Sequence, residues 1–403
     1  MYISRLVSGS KQNVLQILET RRAQLAAEGA DIINLSAGTP DMPPAAHIMR
    51  ATAEASADPE NYKYTLIDPP VLIEAVHHWY KTRYCVDIGP DETLSVYGSQ
   101  EGFAHIFHAL CDPGDFVIVG APGYPVFFYG PQMAGARVFP TPLLPEKGFL
   151  IDFDSIPADI ARKARVIIAS YPSNPLGAVA NVKFYERLIA FAKKYDIIVI
   201  HDNAYSEFVH DGEPGGSFLA IPGAKDVGIE FNSLSKTYNL TGLRISFALG
   251  NKNIIGAFRN LRSNIDYGLS SIDHAAAVAA LTGPQDNVAQ NRAAYRERRN
   301  AFCAALCKIG WNVPMTPASM FTWFPMPPGL YPAMTSEQFC MDLLEKAHVI
   351  CVPGSSFGES GEGWLRFALI QPPARLEEAA ARIGGYLRSS GEFPDDILRQ
   401  NTD

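Results

Sequence analysis

Short apolar runs alternate with stretches of helical periodicity along the middle of the chain. Residues 166–170 form a β-branched apolar run, and residues 183–195 then repeat apolar side chains at the spacing of one helical face. A second apolar run, residues 197–202, follows directly. The order strand, helix, strand predicts a βαβ unit whose two strands are parallel and buried.

Further strands and helices are predicted on both sides of this unit. Residues 93–97 and 116–119 indicate strands, and residues 100–110 between them show an amphipathic helical pattern that follows a Gly-Ser turn. Two more apolar runs, 228–231 and 245–249, enclose a polar segment. This alternation predicts the α/β class with parallel strands.

Polar side chains that suit a ligand site follow the ends of the two strands of the βαβ unit. Asn174 lies in a turn-rich stretch after the first strand, Asp202 ends the second strand, and Tyr205 comes three residues later. In open parallel sheets, ligands bind outside the carboxyl ends of the strands. Asp202 alone would more often be a turn or capping residue, but its two partners favour a ligand site.

The polar segment between the last two runs carries a lysine among hydroxyl groups. Lys236 follows Ser233 and Ser235, and Arg244 comes eight residues later. A lysine amine forms a Schiff base with an aldehyde such as pyridoxal 5'-phosphate (PLP), while hydroxyl groups and a guanidinium bind phosphate. A bare Ser-x-x-Lys would more often be a solvated loop. The longer string, which runs on to Gly-x-Arg, favours a cofactor site.

A second anion site is predicted where the strand at 93–97 gives way to the helix at 100–110. The first turn of a helix leaves N–H groups unpaired and carries a partial positive charge, so anions bind there. Ser99 precedes this helix and could serve as its cap, as a phosphate ligand or as both. Tyr124 follows the next strand and is placed either to stack on a flat ring or to pack as a buried turn aromatic.

The composition is that of a globular chain and excludes several classes of protein. With 403 residues, 47% of them apolar, the chain can bury a large core and should divide into more than one domain. A net charge of −8 gives no basic stripe for nucleic acid. No apolar run has the length of a membrane span, and the N-terminus lacks a signal-peptide pattern. We therefore expect a cytoplasmic protein that binds neither nucleic acid nor membrane.

Three other motifs are interpreted without a chemical role. Residues 354–358 match the G-x-S-x-G pattern of a hydrolase nucleophile, but a loop and not a helix is predicted after them. His105 and His108 share a helical face without a third ligand, so no metal is expected. Cys303 and Cys307 are one helical turn apart and are expected to be reduced neighbours in the core.

Taken together, these motifs resemble those of the PLP-dependent aminotransferases of fold type I, class I/II, and within them the LL-diaminopimelate aminotransferase branch. The resemblance runs from residues 35–41 to residues 363–367. It implies that Lys236 bonds the cofactor and that Asp202 pairs with the pyridine nitrogen, which keeps the ring an electron sink. It also implies that the cofactor ring is contacted by Tyr205, Asn174 and Tyr124. The phosphate would be bound by Ser99, Gln100, Ser233, Ser235 and Arg244, and by Tyr64 from across a subunit boundary. The substrate would be contacted by Gly38, Asn174, Arg366 and Asn264.

The resemblance also implies a domain organisation. It implies an arm and part of a small domain at 1–45, a large PLP-binding domain at 46–280, and a C-terminal small α+β domain at 281–403. The large domain would hold a mostly parallel mixed sheet between helices. We expect a homodimer with shared active sites, which acts on an amino acid and a 2-oxo acid.

Several positions depart from the pattern of that branch. Gln100 replaces a lysine that helps recognise the substrate there, and Asp68, Leu176 and Asn13 also differ. We expect these four residues around the distal part of the substrate. They predict poor activity on diaminopimelate and a preference for a neutral or cationic distal group, with Asp68 either a partner of that cation or a solvated turn residue.

The sequence leaves more than one type of reaction open. A PLP-dependent cyclase, oxidase or lyase of specialised amino-acid metabolism stays open beside the aminotransferase, because one fold and cofactor support all of these reactions. A PLP-binding transcription regulator or a silent scaffold is disfavoured, since no DNA-binding module is recognised and every core cofactor residue is present.

Overall fold

The strands form one large sheet and two small ones. In this computed structural model, which describes residues 3–4, 14–214 and 216–389, the strands are β1 (Ile33–Asn34), β2 (Thr93–Val96), β3 (Phe116–Ala121), β4 (Arg137–Pro142), β5 (Ala164–Ser170), β6 (Ile198–Asp202), β7 (Gly228–Ser233), β8 (Ser246–Gly250), β9 (Phe321–Pro325), β10 (Val349–Ile350), β11 (Val352–Pro353) and β12 (Trp364–Ala368). The large sheet has the order β2-β8-β7-β6-β5-β3-β4. Its neighbouring strands are parallel except at β8, which is antiparallel to both β2 and β7.

Helices cover both faces of the large sheet and fill the second part of the molecule. They are α1 (Val14–Ala27), α2 (Ala46–Ser56), α3 (Pro70–Tyr84), α4 (Ser99–His105), α5 (Phe107–Leu110), α6 (Val126–Met133), α7 (Ala158–Lys163), α8 (Val182–Tyr195), α9 (Ala224–Val227), α10 (Leu234–Thr237), α11 (Lys252–Arg262), α12 (Ser271–Thr282), α13 (Asp286–Lys308), α14 (Ser336–Asp342) and α15 (Pro373–Ser389). None of the helices within the described ranges is both long and apolar enough to cross a bilayer.

The predicted βαβ unit is confirmed as β5-α8-β6. Helix α8 begins where the side chain of Asn181 accepts a hydrogen bond from the backbone N–H of Phe184. Its buried face includes Phe184, Leu188 and Ala192, which lie at helical spacing and pack on the sheet. β5 and β6 are parallel neighbours, and Ser170 is paired with Asp202 at their carboxyl ends.

A second hydrophobic core surrounds the small sheets. β12 pairs antiparallel with β9 and β11, while β1 pairs parallel with β10. Side chains of α1, α13 and α15 pack against these strands, including the fully buried Phe302 of α13, and Trp311, which follows α13, is fully buried in the same core. The domain boundaries at 45 and 280 stay a prediction, and Asn13 lies outside the described residues.

Two local predictions were wrong. The helix expected over 100–110 is interrupted at Ile106, and it begins one residue earlier, so that Gly98 and not Ser99 is its cap residue. Cys303 is buried as expected, but Cys307 is exposed and donates to the side chain of Asn312. The buried stripe at this end of α13 runs through Phe302, Ala305 and Leu306, and Cys307 lies beside it near the end of the helix.

Candidate active site

A cavity of about 460 Å³ lies at the carboxyl ends of β5, β6 and β7. Its walls come from the large sheet with its helices and from the second hydrophobic core, because α1, β9 and β12 border it from the side opposite the large sheet. The predicted site residues that line it are Gly38, Ser99, Gln100, Tyr124, Asn174, Asp202, Tyr205, Ser233, Ser235, Lys236, Arg244 and Arg366. One cavity thus brings together segments that are far apart in the sequence.

The reversed strand β8 explains why Lys236 and Arg244 lie close to Ser99. The chain leaves β7 at Ser233 and returns along β8 from Ser246, and these two residues are paired. Ser246 is also paired with Val96 at the end of β2. The connection 234–245 and the turn after β2 therefore emerge at the same edge of the sheet, where the parallel strands also end.

Lys236 lies on the short helix α10 at the centre of the cavity. Ser233 caps this helix by accepting a hydrogen bond from the backbone N–H of Ser235 at 3.2 Å. The Lys236 ammonium donates to the carbonyl oxygen of Gly38. Burial, together with the nearby guanidinium groups of Arg244 and Arg366, lowers the pKa of Lys236 to about 8. The amine therefore reaches its neutral, nucleophilic form close to physiological pH.

Arg244 and the turn before α4 form a cationic end of the cavity. Gly98 has a φ of 83°, and a Cβ atom there would lie 2.3 Å from Nη2 of Arg244. The glycine thus lets the guanidinium pack against the first turn of α4, next to Ser99. A guanidinium and hydroxyl groups together suit a phosphate.

Asp202 presents a buried carboxylate oxygen that lacks a hydrogen bond. Ser170 donates to Oδ2 at 3.0 Å, whereas Oδ1 has no partner among the described residues. Burial raises the pKa of Asp202 to about 6, and the Ser170 hydrogen bond opposes that rise. A buried acceptor of this kind is costly unless a donor meets it. The N–H of a protonated pyridine fits the need, so the cavity fits PLP at this end.

Arg366 enters from β12 at the opposite side. It donates to the side chain of Asn174 at 3.1 Å and to the carbonyl oxygen of Ser36 at 2.9 Å, and its Nε has no partner among the described residues. Its guanidinium lies 4.1 Å from the ring centre of Phe321. Burial lowers the pKa of Arg366 to about 10, which leaves it charged at neutral pH. Such a cation, with donor groups to spare, suits a carboxylate ligand.

Two tyrosines complete the polar wall between these ends. Tyr124 donates to Oε1 of Gln100 at 3.0 Å, so the Gln100 amide is held beside the phenol. Burial raises the pKa of both Tyr124 and Tyr205, and the nearby Asp202 carboxylate adds to the rise. Both phenols are therefore neutral hydrogen-bond donors at physiological pH.

Part of the cavity wall was not predicted from the sequence. Leu15, Leu18 and Glu19 of α1 line it, as do Phe321 and Ile350 from the second core and Phe357 from the core of the large sheet. All of them except Glu19 have apolar side chains that are ordinary for a hydrophobic core, and nothing in their spacing marks any of them as site residues. The amphipathic character of α1 is weak as well, so no local pattern indicates that this helix covers a ligand site.

Four predicted residues lie outside the cavity of the single chain. Tyr64 is 82% exposed and Asn264 is exposed on the surface, so their roles toward a neighbouring subunit stay predictions. The placement of Asp68 and Leu176 around the substrate was wrong for this chain. Asp68 instead accepts hydrogen bonds from the backbone N–H and hydroxyl of Ser95. Leu176 is buried in the core behind the site because its turn folds back on the sheet.

The structure gives the motifs without a predicted chemical role local structural roles. Residues 354–357 form a 3₁₀ turn, and a second 3₁₀ turn follows, so Ser356 lies on no nucleophile elbow. Nδ1 of His105 lies 2.6 Å from Glu101. No cluster of three metal-ligating side chains occurs in the part of the chain that the structure describes.

Comparison with known proteins indicates a PLP-dependent enzyme, as the lining of the cavity does. Residues 30–383 match the family model of aminotransferase class I and II. The LL-diaminopimelate aminotransferase of Moorella thermoacetica is 42% identical over 91% of this chain and 93% of its own length, and that of Aquifex aeolicus is 41% identical over 91% and 94%.

Solved structures agree at the level of the fold. A substrate-bound structure of BacF from Bacillus subtilis superposes with a TM-score of 0.91 at 35% identity, covering 96% of this chain and 98% of that one. A probable N-succinyldiaminopimelate aminotransferase from Thermus thermophilus gives 0.87 at 34% identity, covering 93% and 100%. The predicted fold, cofactor and enzyme class are confirmed: this chain belongs to the class I and II aminotransferases, enzymes that use PLP.

Proposed function

We propose that this aminotransferase holds PLP between Asp202 and Arg244, bonded to Lys236, and that Arg366 binds the α-carboxylate of the amino acid. The observation that carries the proposal is the unpartnered Oδ1 of Asp202, which faces the same cavity as the amine of Lys236. When bound, PLP supplies an aldehyde for amines and a ring that accepts electrons from the α-carbon.

The residues of the cationic end would hold the phosphate. Arg244 offers a planar pair of donors, and Ser99 and Ser235 offer hydroxyl groups on the same side of the cavity. Tyr124 would lie against the ring, while Tyr205 and Asn174 would donate to its hydroxyl oxygen. Oδ1 of Asp202 would accept the pyridine N–H and keep that nitrogen charged.

Lys236 would also move the proton. With a pKa near 8, its free amine can take a proton from the α-carbon of the donor amino acid and later deliver one to the α-carbon of the 2-oxo acid. Arg366 would orient both substrates by the carboxylate that they share, with the backbone of Gly38 beside it.

A homodimer in the cytoplasm is the second part of the proposal. An exposed apolar strip supports it: Tyr62, Tyr64, Leu66, Ile67, Val71, Ile265 and Tyr267 all lie on the surface. The rings of Tyr64 and Tyr267 are 5.0 Å apart, which joins the two segments into one patch that also borders Asn264. Exposed patches of this kind mark protein interfaces, and this one would carry Tyr64 and Asn264 to the neighbouring site.

Borohydride reduction of the yellow holoenzyme tests the assignment of Lys236. Peptide mapping should find the reduced cofactor on Lys236, and Lys236→Ala should lose both the label and turnover. Lys183→Ala, at an exposed position of α8, is the matched control and should keep both. A label on a different lysine would overturn the proposal.

A further inference from the structure

The wall of the cavity opposite the cofactor end is apolar. Leu18, Ile350, Phe321 and Phe357 line it and are almost completely buried, each at most 2% exposed. They come from α1, β10, β9 and the turn at 354–357, so the wall is built by four separate segments. An apolar surface of this kind binds apolar groups because it releases them from water.

Every cation among the described lining residues already has a role. Lys236 and Arg244 serve the cofactor in the proposed function, and Arg366 serves the α-carboxylate. Two carboxylates also line the cavity: Asp202, which serves the cofactor, and Glu19, which accepts from Arg22 at 2.7 Å and from Ser36 at 3.2 Å. No lining cation in the described part of the chain is left for a second carboxylate on the substrate.

The surface next to the cavity also disfavours substrates with an extra negative charge. A wider vestibule adjoins the cavity at Gln100, Val126 and Ser356. Its described lining carries four carboxylates and a single guanidinium, that of Arg244; the carboxylates are Glu101, Glu337, Glu359 and Glu362. A substrate with an extra negative charge would meet repulsion as it approaches.

We propose, resting on the aminotransferase function, that the substrates of this enzyme are α-amino acids with a bulky apolar side chain and the matching 2-oxo acids. The side chain lies against Leu18, Ile350 and Phe357, where the described lining from one subunit offers no further cation to a second carboxylate. The enzyme thus differs in substrate from the relatives whose names specify diaminopimelate.

Single-turnover kinetics of the PLP form test this substrate class. L-Leucine, L-phenylalanine, L-glutamate and LL-diaminopimelate are each mixed with enzyme, and loss of the absorbance of the lysine-bound cofactor is followed. L-Leucine or L-phenylalanine should react on the order of tenfold or more faster per molar substrate than the two dicarboxylates. Faster reaction of either dicarboxylate would overturn the substrate class and leave the aminotransferase function standing. Reaction with none of the four would overturn the proposed function instead.

Binding without turnover gives an independent readout. α-Methyl-leucine and α-methyl-glutamate lack the α-proton, so calorimetry measures their affinity alone. The apolar analogue should bind on the order of tenfold more tightly. Equal or weaker binding of α-methyl-leucine would contradict an apolar wall.

Two leucines of helix α1 provide matched variants. Leu18 lines the cavity, whereas Leu25 lies two turns away on the same face and packs only in the second core. Leu18→Ala should lower the rate with L-leucine on the order of tenfold while the rate with L-alanine changes little. Leu25→Ala costs similar core packing but should leave the ratio of the two rates unchanged. An equal change of the ratio in both variants would refute contact with Leu18.

Discussion

The buried carboxylate of Asp202 should destabilise the protein when the cofactor is removed. Its Oδ1 lacks a hydrogen bond within the described chain, and burial raises its pKa to about 6 from an ordinary value of 3.8. Asp202→Asn removes the ionisable group but keeps an oxygen to accept from Ser170. We therefore expect the variant to lose activity and to gain stability as apoprotein.

The magnitude follows from the two pKa values. The folded apoprotein holds the proton of Asp202 more tightly than the unfolded chain does, so stability falls as pH rises from about 4 to about 6. The difference between about 6 and 3.8 corresponds to a loss of about 3 kcal/mol at neutral pH. The new amide has an N–H without a hydrogen-bond acceptor, which costs about 1 to 2 kcal/mol. The free energy of unfolding of Asp202→Asn should therefore exceed that of wild type by about 1 to 2 kcal/mol at neutral pH.

Urea unfolding of the cofactor-free proteins measures this gain. The difference in free energy of unfolding between Asp202→Asn and wild type should grow between about pH 4 and about pH 6 and then stay level. Asp154→Asn, at a position whose side chain is 86% exposed, is the control and should show no such growth. A difference that does not change with pH, or a variant less stable than wild type at neutral pH, would refute the reasoning.

Three further substitutions probe the other parts of the site. Arg366→Lys should raise KM on the order of tenfold or more for every amino acid, because an ammonium cannot replace the planar donor pair; an unchanged KM would place the α-carboxylate elsewhere. Gly98→Ala should weaken cofactor binding about tenfold or more in a fluorescence titration, since its Cβ would lie 2.3 Å from Arg244 at a φ of 83°, and unaltered affinity would argue against a phosphate there. Ser170→Ala removes the hydrogen bond that lowers the pKa of Asp202, so the stability of the cofactor-free protein in urea should keep falling to a higher pH than in wild type; a fall that ends at the same pH would show that Ser170 does not tune this carboxylate.

The sequence was a good guide wherever local pattern and chain direction decide the outcome. β-branched runs and the periodicity of 183–195 predicted β5, α8 and β6, and parallel pairing then placed Asn174 and Asp202 at one edge. The break at Ile106 and the exposed Cys307 could not be read in this way, because each depends on which neighbouring element packs beside it.

The same limit applies to the site. Residues in polar motifs, such as Lys236 and Arg244, are recognisable because their types are rare in that combination. Leu18 and Ile350 are not, since an apolar residue against a substrate has the same sequence pattern as one in a core. Asp68 was misjudged for the converse reason: its carboxylate is occupied by hydrogen bonds from Ser95, a long-range contact that no local pattern reveals.

The pairing of Ser246 with both Ser233 and Val96 has a consequence for insertions and deletions. The sheet fixes the two ends of the connection 234–245, but its interior makes no ladder contacts, so an added residue there would leave β7 and β8 in register. It would nevertheless displace Lys236 relative to Arg244. A library of one-residue insertions across this connection should therefore yield proteins that fold and remain colourless, and length, more than composition, is what this segment must conserve.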